Sequence, residues 1–260
     1  MAPDLDRTLL AAPPLIVTLA QVRFEEHAQL VASPTAAALR EPMAQLGLPV
    51  LAQVHHQQVM INADPGSVAQ ASQRVPAGWQ FKSTDEQTVV SVMTDQMTLE
   101  TRHYPGWEVF ERIWRACLAA LAGHVSPQLV TRLGLRYVNR VRPKRVHTAA
   151  EWHEKDLVDP TFLGPAAGSP LSGFITTAEG RASVTFADGV DALIHHGVLV
   201  EGKEQVFVLD IDCFTTTSEA FSIDAVVAGA RVLNDHSLEV FQSVVREPLR
   251  LEMLEGRGAS

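Results

Sequence analysis

RLGLRYVNRV, residues 132–141, decides how this chain is read, because it has the pattern of one strand carrying three arginines on a single face. Side chains alternate along a strand. Arg132, Gly134, Arg136, Val138 and Arg140 therefore share one side, and Leu133, Leu135, Tyr137, Asn139 and Val141 share the other. The second set is a core face. The first is a guanidinium row, and such rows meet anions, either inside the protein or outside it.

The matching acids are Asp210 and Asp212, which fall on one face of the pattern Val206–Phe214, with Phe207, Leu209, Ile211 and Cys213 on the other. Arginine and aspartate can form two parallel hydrogen bonds. Two readings compete. In one, Arg136 and Arg140 neutralise Asp210 and Asp212 within a sheet. In the other, the row lines an open groove for an anionic ligand or acidic peptide. The candidate binding residues are Arg132, Arg136, Asn139, Arg140, Asp210 and Asp212.

Outward from this strand, the elements run twice through one order. Leu15–Phe24 alternates as a strand, and Ser33-Pro34 caps a short helix that stops at Gly47. Val50–Ile61 is ambiguous, with a strand expected in its second part. Short strands follow at Trp79–Lys82, Thr88–Met93 and Met97–Arg102. A long helix, Pro105–Leu121, has apolar residues at helical spacing and is closed by Gly123. The second half begins with the strand Leu129–Val141, then a capping box of Thr148 and Glu151 opens a short helix. After a Pro-, Gly- and Ala-rich surface loop (Asp159–Pro170) come four strand patterns, near Ser172–Thr177, Ala182–Phe186, Ala192–Val200 and Val206–Phe214. Asp188-Gly189 makes a tight turn, and Ser222 caps a final long helix.

The expected fold is α+β, a duplicated antiparallel sheet with two long helices on one face. Residues 1–125 and 126–260 form halves that share the sheet. This arrangement resembles the saddle of the TATA-binding-protein fold; a helix-grip domain is the alternative. Several segments resemble a sporadically distributed family of uncharacterised bacterial proteins. They are PPLIVTLAQVRF, Leu99-Glu100-Thr101 with Tyr104 and Trp107-Glu108-Val109-Phe110, RLGLRYVNRV, and Leu209-Asp210-Ile211-Asp212 ahead of a helix with His236 and Phe241. The resemblance implies a bacterial, cytosolic origin and supplies no activity, cofactor or catalytic residue.

Composition narrows the function classes. The net charge of −9 opposes a general nucleic-acid coat, whose affinity comes from neutralising phosphates. Two cysteines, Cys117 and Cys213, make no disulfide framework and suit a reducing cytoplasm as buried small hydrophobes. The apolar LLAAPPLIVTLA is broken by Pro13-Pro14 and preceded by Asp4 and Asp6, so it reads as a frayed start and a strand instead of a secretion signal. No apolar run reaches membrane-spanning length.

The histidine pairs His55-His56 and His195-His196 would point to opposite faces of strands, one ring of each pair buried and the other wet. Neither chelates one ion alone, and no metal or other cofactor is expected. His153-Glu154 lacks the second histidine of the zinc motif, and no nucleophile elbow or phosphate loop occurs. Glu25-Glu26 with His27 reads as a solvated strand end. With no catalytic constellation, the leading expectation is a non-enzymatic cytoplasmic binding or accessory protein that holds a protein partner on its sheet face or edge. A small-molecule or enzymatic pocket between sheet and helices is the alternative, with Trp107, Trp114, Tyr137, Arg136 and Asn139 as its lining. Nucleic acid on the saddle face is a third reading.

Overall fold

The computed structural model describes residues 5–8, 10–64, 67–143, 146–216 and 218–256, with the side chains of 57–73 left out. The expected frayed start, Asp4 included, lies partly outside these residues. The chain forms one large antiparallel sheet with helices on its apolar side. Its strands are β1 (Leu15–Phe24), β2 (Val50–Asp64), β3 (Ser67–Lys82), β4 (Thr88–Met93), β5 (Gln96–Thr101), β6 (Leu129–Val141), β7 (Thr177–Thr185), β8 (Asp191–Glu201), β9 (Glu204–Thr215) and the two-residue β10 (Glu219–Ala220). Their order across the sheet is β2-β3-β4-β5-β1-β6-β9-β8-β7, with β10 beside β6. Every pairing is antiparallel.

The central pair β1 and β6 alternates as its sequence requires. Thr18, Ala20, Val22 and Phe24 are buried, as are Leu133, Leu135, Tyr137, Asn139 and Val141. The helices cover that face. α4 (Ile223–Val244) packs on β6 and β9 and lies beside α2 (Trp107–His124). Arg231 and Glu111 join the two helices by a two-pronged ion pair at 2.5 and 2.6 Å. From the start of α2, Phe110 meets Tyr104, whose ring stands edge-on to Tyr137 of the core face. α1 (Ser33–Gln45) packs on α2, and Trp152 of α3 (Ala150–Glu154) packs on Phe207. α5 (Glu247–Leu254) closes the chain's end of the core with Leu249 and Met253. No helix of the described residues is long and apolar enough to cross a membrane.

Several local expectations change. Ser33 is the first residue of α1 and Ala32 its N-cap, so the hydroxyl caps nothing. α2 begins two residues later than its proline suggested, because Gly106, at φ 93°, turns the chain into the helix, and Gly123 lies inside its last turn. Thr148 hydrogen-bonds the Glu151 side chain at 3.2 Å, while Ala149 takes the cap position, so no capping box forms. β2 and β3 make one long hairpin through the whole ambiguous segment. The strand expected near Ser172–Thr177 is instead a 3-10 turn, Ser172–Phe174, and β7 begins only at Thr177. Gly173 and the half-turns before it favour tight turns over extension. Asp188-Gly189 does turn β7 into β8, with Gly189 at φ 85°. Ser222 does cap α4, accepting from the Ala225 N–H at 3.5 Å.

Candidate functional site

The other face of the sheet carries the arginine row. Register places Leu19, Arg136, Asp212 and Leu193 side by side on β1, β6, β9 and β8. The next row holds Val17, Val138, Asp210, His195 and Arg181. Neither row falls on the apolar face that the helices occupy.

Directly opposite residues are not the bonded ones. Arg136 faces Asp212 in register but forks onto Asp210, with Nε donating to Oδ1 at 2.7 Å and Nη2 to Oδ2 at 2.6 Å. Arg132 reaches Asp212 at 3.1 Å. Arg136–Asp210 is a diagonal pair, within reach of long side chains across a strand pair, while Arg132 runs along its own strand to reach an acid four positions off its register. Arg132 also donates to Gln21 Oε1 at 2.7 Å and lies 4.7 Å from the centre of the Phe214 ring. Its guanidinium lies over Gly134, where an added Cβ would sit 2.4 Å from Nη1. Glycine is what lets the arginine fold flat onto the sheet.

Arg140 corrects the expectation that it would neutralise an aspartate. It stands opposite Val208, and its partner is Glu201 at the end of β8, which also takes Arg142 at 2.6 Å. Both oxygens of Asp210 are held by Arg136. Asn139 separates from the row. It is buried on the helix-covered face and donates to the Leu209 carbonyl at 3.1 Å, serving the β6–β9 pairing. Arg136 and Asn139 thus point to opposite sides and cannot converge in one pocket. Trp114 and Tyr137 are likewise built into the packed core, and Trp107 is partly buried against it.

Charges in the row respond differently to their surroundings. Burial pushes the Asp212 carboxyl up, against the pull of Arg132 and Arg136. The hydrogen bonds that Arg136 donates to Asp210 strengthen its hold on its proton. Arg136 remains 48% exposed while Asp210 is 13% exposed, so guanidinium stands toward solvent and carboxylate lies deeper. Arg23 of β1 and Arg181 of β7 are exposed on the same face.

Sequence reasoning missed Gln21, Phe214 and Glu201. Gln21 and Phe214 share the alternation of the row and were legible as face members, though not as partners of Arg132. Glu25 was also misread. Its carboxylate accepts from the backbone N–H groups of Gln128 and Leu129 at 2.6 and 3.0 Å and from His27 at 3.1 Å, tying β1 to the start of β6. The histidine pairs differ from expectation too. His55 and His56 are both exposed, and His195 and His196 are both half-buried, bonded to Arg181 and the Phe162 carbonyl. Among the described residues no group of three or more His, Cys, Asp or Glu side chains is placed to hold a metal ion. Both cysteines are buried, and burial pushes their thiols up, to about 12 for Cys117 and about 11 for Cys213. No family model matches the chain, and no curated protein matches it.

Proposed function

We propose that this chain is a non-enzymatic binding protein that holds an acidic segment of a protein partner on the uncovered face of its sheet. The observation that carries the reading is the layering of that face. Arg23, Arg136 and Arg181 stand outward, Asp210 and Asp212 sit lower between strands, and Leu19, Val138 and Leu193 supply partly exposed apolar area between them. Arginine mixed with apolar side chains is the composition of interface cores, and a guanidinium that keeps exposed edges can fork onto a second carboxylate. A bacterial cytoplasmic setting belongs to the same proposal, as does membership of the bacterial family that the RLGLRYVNRV run resembles.

The architectural part of the proposal is an internal duplication of the TATA-binding-protein kind. Two features support it. Outward from the central pair, the strands run β1, β5, β4, β3, β2 on one side and β6, β9, β8, β7 on the other, and in each half a long helix follows the strands, with the short α5 added after the second. Two long helices side by side also favour this over a helix-grip domain, which wraps one.

The test is capture from the native host with two baits, the wild-type chain and Arg23→Glu/Arg181→Glu. The account expects a protein recovered by the first and lost by the second, with both baits melting within about 2 °C of each other, as surface changes usually do. Equal recovery by both baits, or release of nucleic acid with steep salt dependence in place of a protein, contradicts it.

A further inference from the structure

The outer edge of the sheet carries a pattern of its own. β7 is the last strand on the β6 side and pairs only with β8. Its register with β8 is unbroken from Thr177 to Thr185. Just beyond its ends, the Val200 N–H donates to the Thr176 carbonyl at 3.1 Å and the Phe186 N–H to the Val190 carbonyl at 2.8 Å. Both continue the same register, so the even-numbered residues turn their backbone groups toward β8. The odd-numbered ones, Thr177, Glu179, Arg181, Ser183 and Thr185, turn theirs outward, and no described residue bonds them there. Open edges are usually blunted by proline, lysine or a covering element. β7 has no proline and no lysine, and all five outward-turned residues are exposed.

The charges on this edge select what can pair with it. Bonding across it requires odd-numbered residues to oppose outward-turned residues of an added strand. For an antiparallel copy of β7 related by a two-fold axis, centring on Glu179 sets glutamate against glutamate, and centring on Arg181 sets arginine against arginine. Only centring on Gly180 sets Glu179 against Arg181 of the second copy, and it does so twice. Unlike charges directly opposed across a strand pair stabilise it and like charges destabilise it. At the same axis Gly180 meets Gly180 and Ala178 meets Ala182, small enough for the close approach of pairs without backbone bonds. Glu179 has no ion-pair partner of its own among the described residues, and Arg181 uses Nε on His195 at 3.0 Å, which leaves its outer nitrogens for a carboxylate.

We propose that β7 is a self-association edge, where a second copy of this chain adds its own β7 antiparallel about a two-fold axis through Gly180. Opposed residues share a face, so the arginine face of one copy continues into that of the other. A join through one strand is small, which makes the dimer reversible and dependent on concentration. The inference does not rest on the partner-binding reading, and its failure would leave that reading untouched.

Sedimentation velocity of the purified full chain over a concentration series tests it. The wild type should pass from monomer to dimer as concentration rises. Glu179→Arg and Arg181→Glu each oppose like charges, so each should weaken dimerisation at least about tenfold. The double variant Glu179→Arg/Arg181→Glu exchanges the charges and should dimerise like the wild type. The two single variants, mixed, should form a heterodimer, since one brings two arginines and the other two glutamates. A wild type that stays monomeric at every concentration overturns the proposal and leaves the edge to a strand of another protein. Single variants that dimerise as the wild type does, or a double variant or mixture that fails to restore the dimer, also overturn it. Hydrogen exchange decides the matter even if a variant does not fold. In the wild type the outward amides of Glu179 and Arg181 should exchange more slowly as the dimer forms, and unchanged exchange overturns the proposal.

Discussion

Arg132 is held by Gln21, Asp212 and the Phe214 ring together, and it is 21% exposed, whereas Arg136 has one partner and is 48% exposed. The two arginines share a strand face and should differ in what they do for stability. Arg132→Ala strands a partly buried carboxylate and an amide, so it should cost about 1–3 kcal/mol in urea unfolding. Arg136→Ala, screened by solvent, should cost about 1 kcal/mol or less. Equal losses would mean that exposure does not set their contributions. Asp212 adds a pH signature. Its carboxyl is raised by burial, so its relative stabilisation is fully present below the unfolded value near 3.8 and is lost as pH rises through the folded pKa. The stability of the wild type relative to Asp212→Asn should therefore be greatest at the acid end of a pH 3.5–7 series. A relative stability that climbs with pH would contradict the assignment.

At the scale of elements, Glu25 gives the opposite slope. Burial pushes its carboxyl up, but the bonds from Gln128 and Leu129 outweigh this and hold it below the usual glutamate range. Its stabilisation is present above the unfolded value near 4.5 and is lost as pH falls through the folded pKa. Glu25→Gln should lose its disadvantage in acid, and a difference independent of pH would show that the anchor between β1 and β6 is not ionic. The other sharp element-level constraint is Gly78, where an added Cβ would lie 2.1 Å from the Val92 carbonyl oxygen. That neighbour is backbone and cannot step aside. Gly78→Ala should cost at least about 2 kcal/mol by forcing β3 and β4 apart, measured by chemical unfolding. A near-neutral result would show that this strand pair yields easily. On α2, Trp114→Ala should cost about 3–5 kcal/mol, the range for a buried aromatic.

At the scale of the molecule, alternation made β1, β6 and β9 readable, since one face of each is buried and period two is then enforced. The β2–β3 hairpin was hard to read because its polar residues around His55-His56 break that period. The Ser172–Thr177 pattern misled for the converse reason, its short apolar run being spent in a 3-10 turn. Partners were less legible than faces. Arg132 with Gln21 and Glu25 with Leu129 are each more than a hundred residues apart, and no local pattern encodes their meeting. If the two halves share one sheet through β1 and β6, residues 1–125 and 126–260 made as separate chains should each fail to unfold cooperatively and should regain a cooperative transition when refolded together. A cooperative transition in either half alone would contradict a shared sheet.

The central claim is that a partner lies on the uncovered sheet face. A photo-crosslinking residue placed at Thr98 or Leu193 on that face, or at the exposed Val232 of α4 on the helix side, tests it most directly in the native host. The account predicts one crosslinked protein adduct from both sheet positions and none from Val232. An adduct from Val232 alone, or none from either sheet position, would contradict it.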